Sequence, residues 1–131
     1  MNSEVVLCLG SNVADRRQRL DGAIHRLAAL LTIRDYSEAV ESADVSGLGR
    51  DYLNIVARCS TSLSLNDLRS LIAEIETIEG RTPQSKTSGS MPIDIDVVMY
   101  NGKVVSPCDF HRDYFRQAYQ LLTLKPQSLC L

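Results

Sequence analysis

The chain has 131 residues, 44% of them hydrophobic and 23% charged, with a formal net charge of -2. That length suits one domain with a single sizeable core, and the slightly negative balance gives no overall attraction to nucleic acid or an anionic membrane, so an anionic substrate must be held by local groups. No apolar run reaches membrane-spanning length. The Met1-Asn2-Ser3-Glu4 start is too acidic, and the apolar run after it too short, for a signal peptide, so the cytoplasm is the expected location.

The run Glu4 to Leu9 reads as a buried strand that ends at the turn signal Gly10-Ser11-Asn12. From about Asp15 to Leu31, Leu20, Ala23, Ile24, Leu27, Leu30 and Leu31 recur at helical spacing, with Arg16, Arg17, Arg19 and Arg26 largely on other faces. Thr32 to about Val45 is expected to be a strand, followed by a loop through Ser46-Gly47-Leu48-Gly49. Tyr52 to Thr61 is a strand. Ser64, with Asp67 three residues on, caps a helix from Leu65 to about Glu79, and Gly80 ends it. A polar loop from Arg81 to Met91 leads to a strand from Pro92 to Tyr100. Asn101-Gly102 then signals a hairpin into Lys103-Val104-Val105. A last helix is expected over about Asp113 to Leu124. Helices alternate with strands of which at least one pair is antiparallel, which predicts an α+β fold, a two-layer ferredoxin-like sandwich with a mostly antiparallel sheet. The four cysteines, Cys8, Cys59, Cys108 and Cys130, have no C-x-x-C spacing and read as buried, reduced thiols.

The chemistry concentrates in Pro92-Ile93-Asp94-Ile95-Asp96-Val97-Val98. Residues two apart in a strand share a face, so Asp94 and Asp96 project together while Ile93, Ile95 and Val97 turn inward. Adjacent carboxylates repel unless one is protonated or a cation lies between them. Mg2+, which takes oxygen ligands and often uses one or two carboxylates plus substrate phosphates, meets that need. A half-exposed edge strand with two aspartates on its polar side is the plainer alternative.

Three features stand in order: Leu9-Gly10-Ser11-Asn12 after the first strand, Asp51-Tyr52-Leu53-Asn54 opening a later one, and the Asp94-x-Asp96 strand preceded by Glu76-x-x-x-Gly80-Arg81. Together with Gly89, Ser90, Ile95, Val97 and Val98 they make the chain, from about residue 4 to 125, resemble the 6-hydroxymethyl-7,8-dihydropterin pyrophosphokinases. These folate-pathway enzymes move a pyrophosphoryl group from ATP to a pterin alcohol. The resemblance implies ATP as co-substrate, a pair of Mg2+ ions on Asp94 and Asp96, and a pterin against Tyr52 and Asn54. It also implies nucleotide contacts from Glu76, Arg81, His111 and Arg116, and Lys86 is the nearby positive charge expected to join them, although an ammonium lacks the planar fork of guanidinium. Tyr52 is alternatively an aromatic cover on the core, Glu76 a residue of a solvated helix face, and Arg116 a surface charge. The match near Phe110-His111-Arg112 allows a one-residue shift.

The departures from the family pattern are Met91 and Pro83, where it has arginines, and Ser88, where it has an aromatic residue. Met91 is expected at the mouth of the metal-binding strand, where an arginine would reach the transferring phosphates. Two functions are open. One is a pterin pyrophosphokinase. The other is a catalytically weakened or inactive module that binds nucleotide or pterin. A nucleic-acid binder is disfavoured, because two phenylalanines and no tryptophan leave few stacking platforms. The expected state is a monomer or weak homo-oligomer, engaging neither nucleic acid nor membrane.

Overall fold

Seven of the nine residues of strand β1 (Ser3–Ser11) are buried, because the strand runs through the middle of the sheet with side chains covered on both faces. In this computed structural model residues 2–44 and 47–124 are described, with side chains as far as Leu122. Val45, Ser46 and Cys130, named above, lie outside them. The elements that follow are α1 (Arg16–Ala28), β2 (Thr32–Tyr36), β3 (Val40–Ser42), β4 (Tyr52–Thr61), α2 (Leu65–Ile78), α3 (Ser85–Ser88), β5 (Asp94–Tyr100), β6 (Lys103–Val104), α4 (Pro107–Phe110) and α5 (Asp113–Leu124). The strand order is β2-β4-β1-β5-β6, with β3 also on β4, and the pairings are antiparallel.

The α+β sandwich expected from the sequence is therefore present, and helices cover both faces of its sheet. On one face Leu20, Ala23 and Leu27 of α1 and Leu68, Ile72 and Ile75 of α2 pack on Leu7, Leu9, Ile55, Ile95 and Val97. On the other, Phe115, Ala118 and Leu122 of α5 pack on Val6, Cys8, Val56 and Val98. Each of the fully buried leucine, isoleucine, valine and phenylalanine side chains contributes about 1.5–3 kcal/mol. The alternation of strand side chains thus divides β5: Ile93, Ile95 and Val97 enter the first core, and Asp94 and Asp96 face the side that α5 covers.

Several boundaries differ from expectation for local reasons. Helix α1 stops at Ala28, three residues early, where its end tightens and the Leu30 N–H donates to Leu27 O across a three-residue step. The strand expected over Thr32 to Val45 is two strands. Between them Ser37 substitutes its side chain for a ladder carbonyl, with Val56 N–H donating to Ser37 Oγ at 3.0 Å. The polar loop after Gly80 contains α3, ended by Gly89 at φ +77. Ser64 caps α2 as expected, its Oγ accepting from Asp67 N–H at 3.1 Å. Asn101 and Gly102 have φ of +55 and +83, the positive pair that a tight hairpin needs. Cys8 and Cys59 are buried and free, whereas Cys108 is free but exposed, because α4 buries none of its residues. No helix among the described residues is long and apolar enough to cross a membrane.

Candidate active site

Where β1 leaves the cover of α5, it passes between β4 and β5, and a cavity of about 160 Å3 opens on that face. The register sets its floor. Gly10 is paired with Asn54 on one side and Asp94 on the other, and Cys8 is paired with Val56 and Asp96. Tyr52, Asn54, Asp94 and Asp96, from strands far apart in sequence, line this one cavity. Gly10 is what the close approach requires, since a Cβ there would lie 3.0 Å from Asn54 Oδ1 and 3.4 Å from the Tyr52 ring.

Arg81 ties Asp94 to the helical layer behind it. Its Nη1 donates to Glu76 Oε2 at 2.6 Å and to Asp94 Oδ1 at 2.9 Å. Glu76 Oε2 also accepts the Ile95 N–H at 2.8 Å. Glu76 is thus no solvated helix residue but a half-buried brace between α2 and β5, and burial holds its carboxyl above the ordinary range against the opposing pull of the Ile95 N–H and Arg81. Asp96 is shifted up further, first by burial and then by Asp94, Asp109 and Glu76. Such a site takes up either a proton or a cation. Among the described residues no three His, Cys, Asp or Glu side chains could hold a metal. The paired Asp94 and Asp96 oxygens therefore fit a hard cation that completes its shell with water or substrate phosphate.

Asn54 is 3% exposed, and its Nδ2 donates to Val40 O and Ser42 Oγ, both at 2.9 Å. Its amide nitrogen thus fastens β3 to β4, and Oδ1 lies toward Gly10. Tyr52 is partly exposed, its phenol pKa raised by burial first and then by Asp44 and Asp94. Lys86, His111 and Arg116 are exposed, and none lines the cavity. His111 instead sets its ring edge-on to Phe110.

Among the described residues the cation that lines the cavity is Arg112, next to His111 and within the one-residue shift that the match there allows, and with it stand Asp109, Tyr114 and Asp44, which the sequence reading does not single out. A local signal for Asp109 was available. Ser106-Pro107-x-Asp109 has the cap, first-turn proline and acidic residue of a helix start, and Ser106 Oγ donates to Asp109 Oδ2 at 2.6 Å. Arg112 follows one helical step later and pairs with Asp109 at 3.6 Å.

Asn12 holds the loops beside the cavity. It is 2% exposed. Its Nδ2 donates to Arg50 O at 3.2 Å and Gly89 O at 3.0 Å, and its Oδ1 accepts the Met91 N–H at 2.6 Å. The loop at Gly49 lies so close to Gly89 that a Cβ on Gly49 would stand 1.8 Å from Gly89 O. These contacts correct the expectation for Met91, which is 4% exposed and buried beneath the loops, not at a mouth. Pro83 and Ser88 are exposed.

Fold and cavity together define an antiparallel α+β domain with a carboxylate pair set at the end of its central strands. The sequence profile of 7,8-dihydro-6-hydroxymethylpterin-pyrophosphokinase (HPPK) matches residues 6–126, and the chain belongs to that family. A 2-amino-4-hydroxy-6-hydroxymethyldihydropteridine pyrophosphokinase of Aquifex aeolicus is 34% identical over 134 residues, covering 95% of this chain and 82% of that protein. The enzyme of the same name from Bacillus subtilis is 28% identical, covering 96% and 77%. The folic acid synthesis protein FOL1 of Dictyostelium discoideum is 32% identical over 82% of this chain, which spans only 16% of that longer protein.

Proposed function

We propose that this chain transfers pyrophosphate from ATP to 6-hydroxymethyl-7,8-dihydropterin in folate synthesis. Support comes from membership of the family over residues 6–126, and the observation that carries the reading is the Asp94 and Asp96 pair facing a cavity that Tyr52 and Asn54 also line. In the reaction the pterin hydroxyl oxygen attacks the β-phosphorus of ATP, the bond to the α-phosphate oxygen breaks, AMP leaves and the hydroxyl proton is released. Asp94 and Asp96 would hold Mg2+, taken here as two ions, which supplies Lewis-acid charge to the phosphates.

The chain's own residues orient the substrates. Tyr52 offers a ring face to the pterin, and Asn54 fixes the strand edge beside it. Arg112 is the residue that would meet phosphate oxygens in the cavity, a part the sequence resemblance assigns to His111 and Arg116. Arg81 keeps Asp94 in position before substrate arrives. Catalysis of this kind rests on positioning and charge stabilisation, with no covalent enzyme intermediate. A second hollow of about 270 Å3 lies across β5, between α2 and the segment after β6, and Asp96 is the one residue that lines both spaces. A nucleotide whose phosphates lie at Asp96 would place its base there and leave the first cavity to the pterin. The same proposal takes the chain as a monomer or weak homo-oligomer in the cytoplasm that engages neither nucleic acid nor membrane, the last supported by a net charge of -2 that gives no overall attraction to either polyanion.

The test is calorimetric titration with Mg2+ and a non-hydrolysable ATP analogue, then with pterin, followed by an assay of AMP release from ATP. Sequential binding and pterin-dependent AMP release are expected. Binding of both ligands without AMP release would favour the catalytically weakened module, and binding of neither would end both readings.

A further inference from the structure

The cavity at the end of β1 is acidic, and its cation is held by one particular acid. Asp44, Asp94, Asp96 and Asp109 all line it, and among the described residues Arg112 is the cation that joins them. Asp94 pairs with Arg81, whereas Arg112 pairs with Asp109, its Nε 3.6 Å from Oδ1. The Arg112 Nη2 donates to Cys108 Sγ at 4.0 Å. Both partners belong to α4, so the Nε and Nη2 edge of the guanidinium is turned to that helix and Nη1 is left for an oxyanion.

Asp109 is itself fixed. Its Oδ2 accepts from Ser106 Oγ at 2.6 Å, Pro107 sets the first turn of α4, and the Arg112 N–H donates to Asp109 O at 3.1 Å. The two side chains are partly exposed, at 38% for Arg112 and 20% for Asp109, so their pairing adds little to stability. Its consequence is orientation. A guanidinium free to move among these carboxylates would be drawn to Asp94 and Asp96, where two negative charges lie together. An arginine meets phosphate best when its planar fork is already set.

We infer that Asp109 is a positioning residue, which holds Arg112 clear of the Asp94 and Asp96 pair and aims it at the phosphate oxygens of the nucleotide. The inference rests on the part given to Arg112 in the proposed transfer. Charge and positioning predict opposite signs here. Removing a negative charge from an acidic cavity raises its affinity for an anion if charge alone counts, and lowers it if that charge aims the arginine.

The experiment compares wild type, Asp109→Asn, Arg112→Met and the double variant at saturating Mg2+. It measures calorimetric binding of a non-hydrolysable ATP analogue, kcat and KM of pterin-dependent AMP release, and thermal melting. Asp109→Asn should keep its melting temperature, because the amide oxygen still accepts from Ser106. It should lose ~10-fold or more in analogue affinity and in kcat/KM, the scale of a misplaced contact. In the Arg112→Met background the same substitution should not weaken binding, since no arginine remains to be aimed. Binding by Asp109→Asn as tight as wild type or tighter overturns the inference, and so does an equal loss with and without Arg112. If Asp109→Asn does not fold, Asp109→Glu, which keeps the charge and moves it by one methylene, is read by the same cycle. A loss confined to chains with Arg112 then supports the role, and any other result overturns it. Binding without AMP release leaves the calorimetric cycle to decide, whereas a wild type that binds no analogue ends the proposed function and this inference with it.

Discussion

Arg81 and Asp94 are joined at 2.9 Å through the same Nη1 that reaches Glu76 at 2.6 Å. One guanidinium therefore balances a carboxylate facing the cavity and another behind the strand. Asp94 is the more exposed of the two carboxylates, at 36% against 12% for Glu76, so it is the partner with access to a competing cation.

Arg81→Met should lower stability by on the order of 2 kcal/mol, most of it from leaving Glu76 short of a partner, the Asp94 share being screened by solvent. Mg2+ should recover part of the loss by occupying the vacated side of Asp94. Thermal melts with and without Mg2+ check this, and identical melting of the variant and wild type without metal would contradict it.

Asp96 carries the pH dependence. Its carboxyl is pushed up to about 8, chiefly by burial and then by Asp94, above the value near 3.9 of an unfolded aspartate. The folded state therefore binds the proton more tightly. The stabilisation is complete below the unfolded pKa and is lost as pH rises through the folded one. Metal-free protein should melt higher at pH 5 than at pH 8.5. Asp96→Asn should flatten that profile and weaken Mg2+-nucleotide binding. A profile unchanged by the substitution would remove Asp96 as its cause.

Met91→Arg tests the place of this residue beneath the loops. A cation at a position 4% exposed has to be desolvated or has to push the loops apart, at a cost of about 3 kcal/mol or more. The expected result is a fall in melting temperature with no gain in AMP release. A stable variant with faster transfer would show that the side chain reaches the phosphates after all.

Asn54→Ala should reduce stability as well as pterin affinity. Two hydrogen bonds that hold β3 disappear and leave half-buried acceptors unpaired, at a cost of about 1–3 kcal/mol. From the sequence alone the same change would be expected to spare the melting temperature. Parallel melts and pterin titrations separate the two effects, and lost binding with unchanged stability would restore the simpler reading.

Much of the fold was legible because its signals are local. The helical spacing of Leu20, Ala23 and Leu27, the Ser64 cap and the Asn101-Gly102 turn each operate within a few residues, and all appear in the structure. Asp94 and Asp96 were legible as a pair for the same reason, since a strand puts residues two apart on one face whatever lies around it. The break at Ser37 was not legible, because it depends on the Val56 N–H from another strand.

The residues around that pair were decided by tertiary contact. His111 and Arg112 differ by one position in a short turn, and only the docking of α4 and α5 on the sheet determines which of them enters the cavity. Met91 reads from the sequence as an open position before the Asp94-x-Asp96 strand, but its backbone N–H donates to Asn12, 79 residues away in sequence, and its side chain is buried. Glu76 could be a surface charge or a brace, and the Ile95 N–H and Arg81 settle it as a brace. By itself the sequence determined which side chains share a face, since backbone periodicity is a property of each segment. Which faces meet, and which charges then lose water to one another, was decided only when β1, β4 and β5 paired, because desolvation depends on every neighbour that packing brings in.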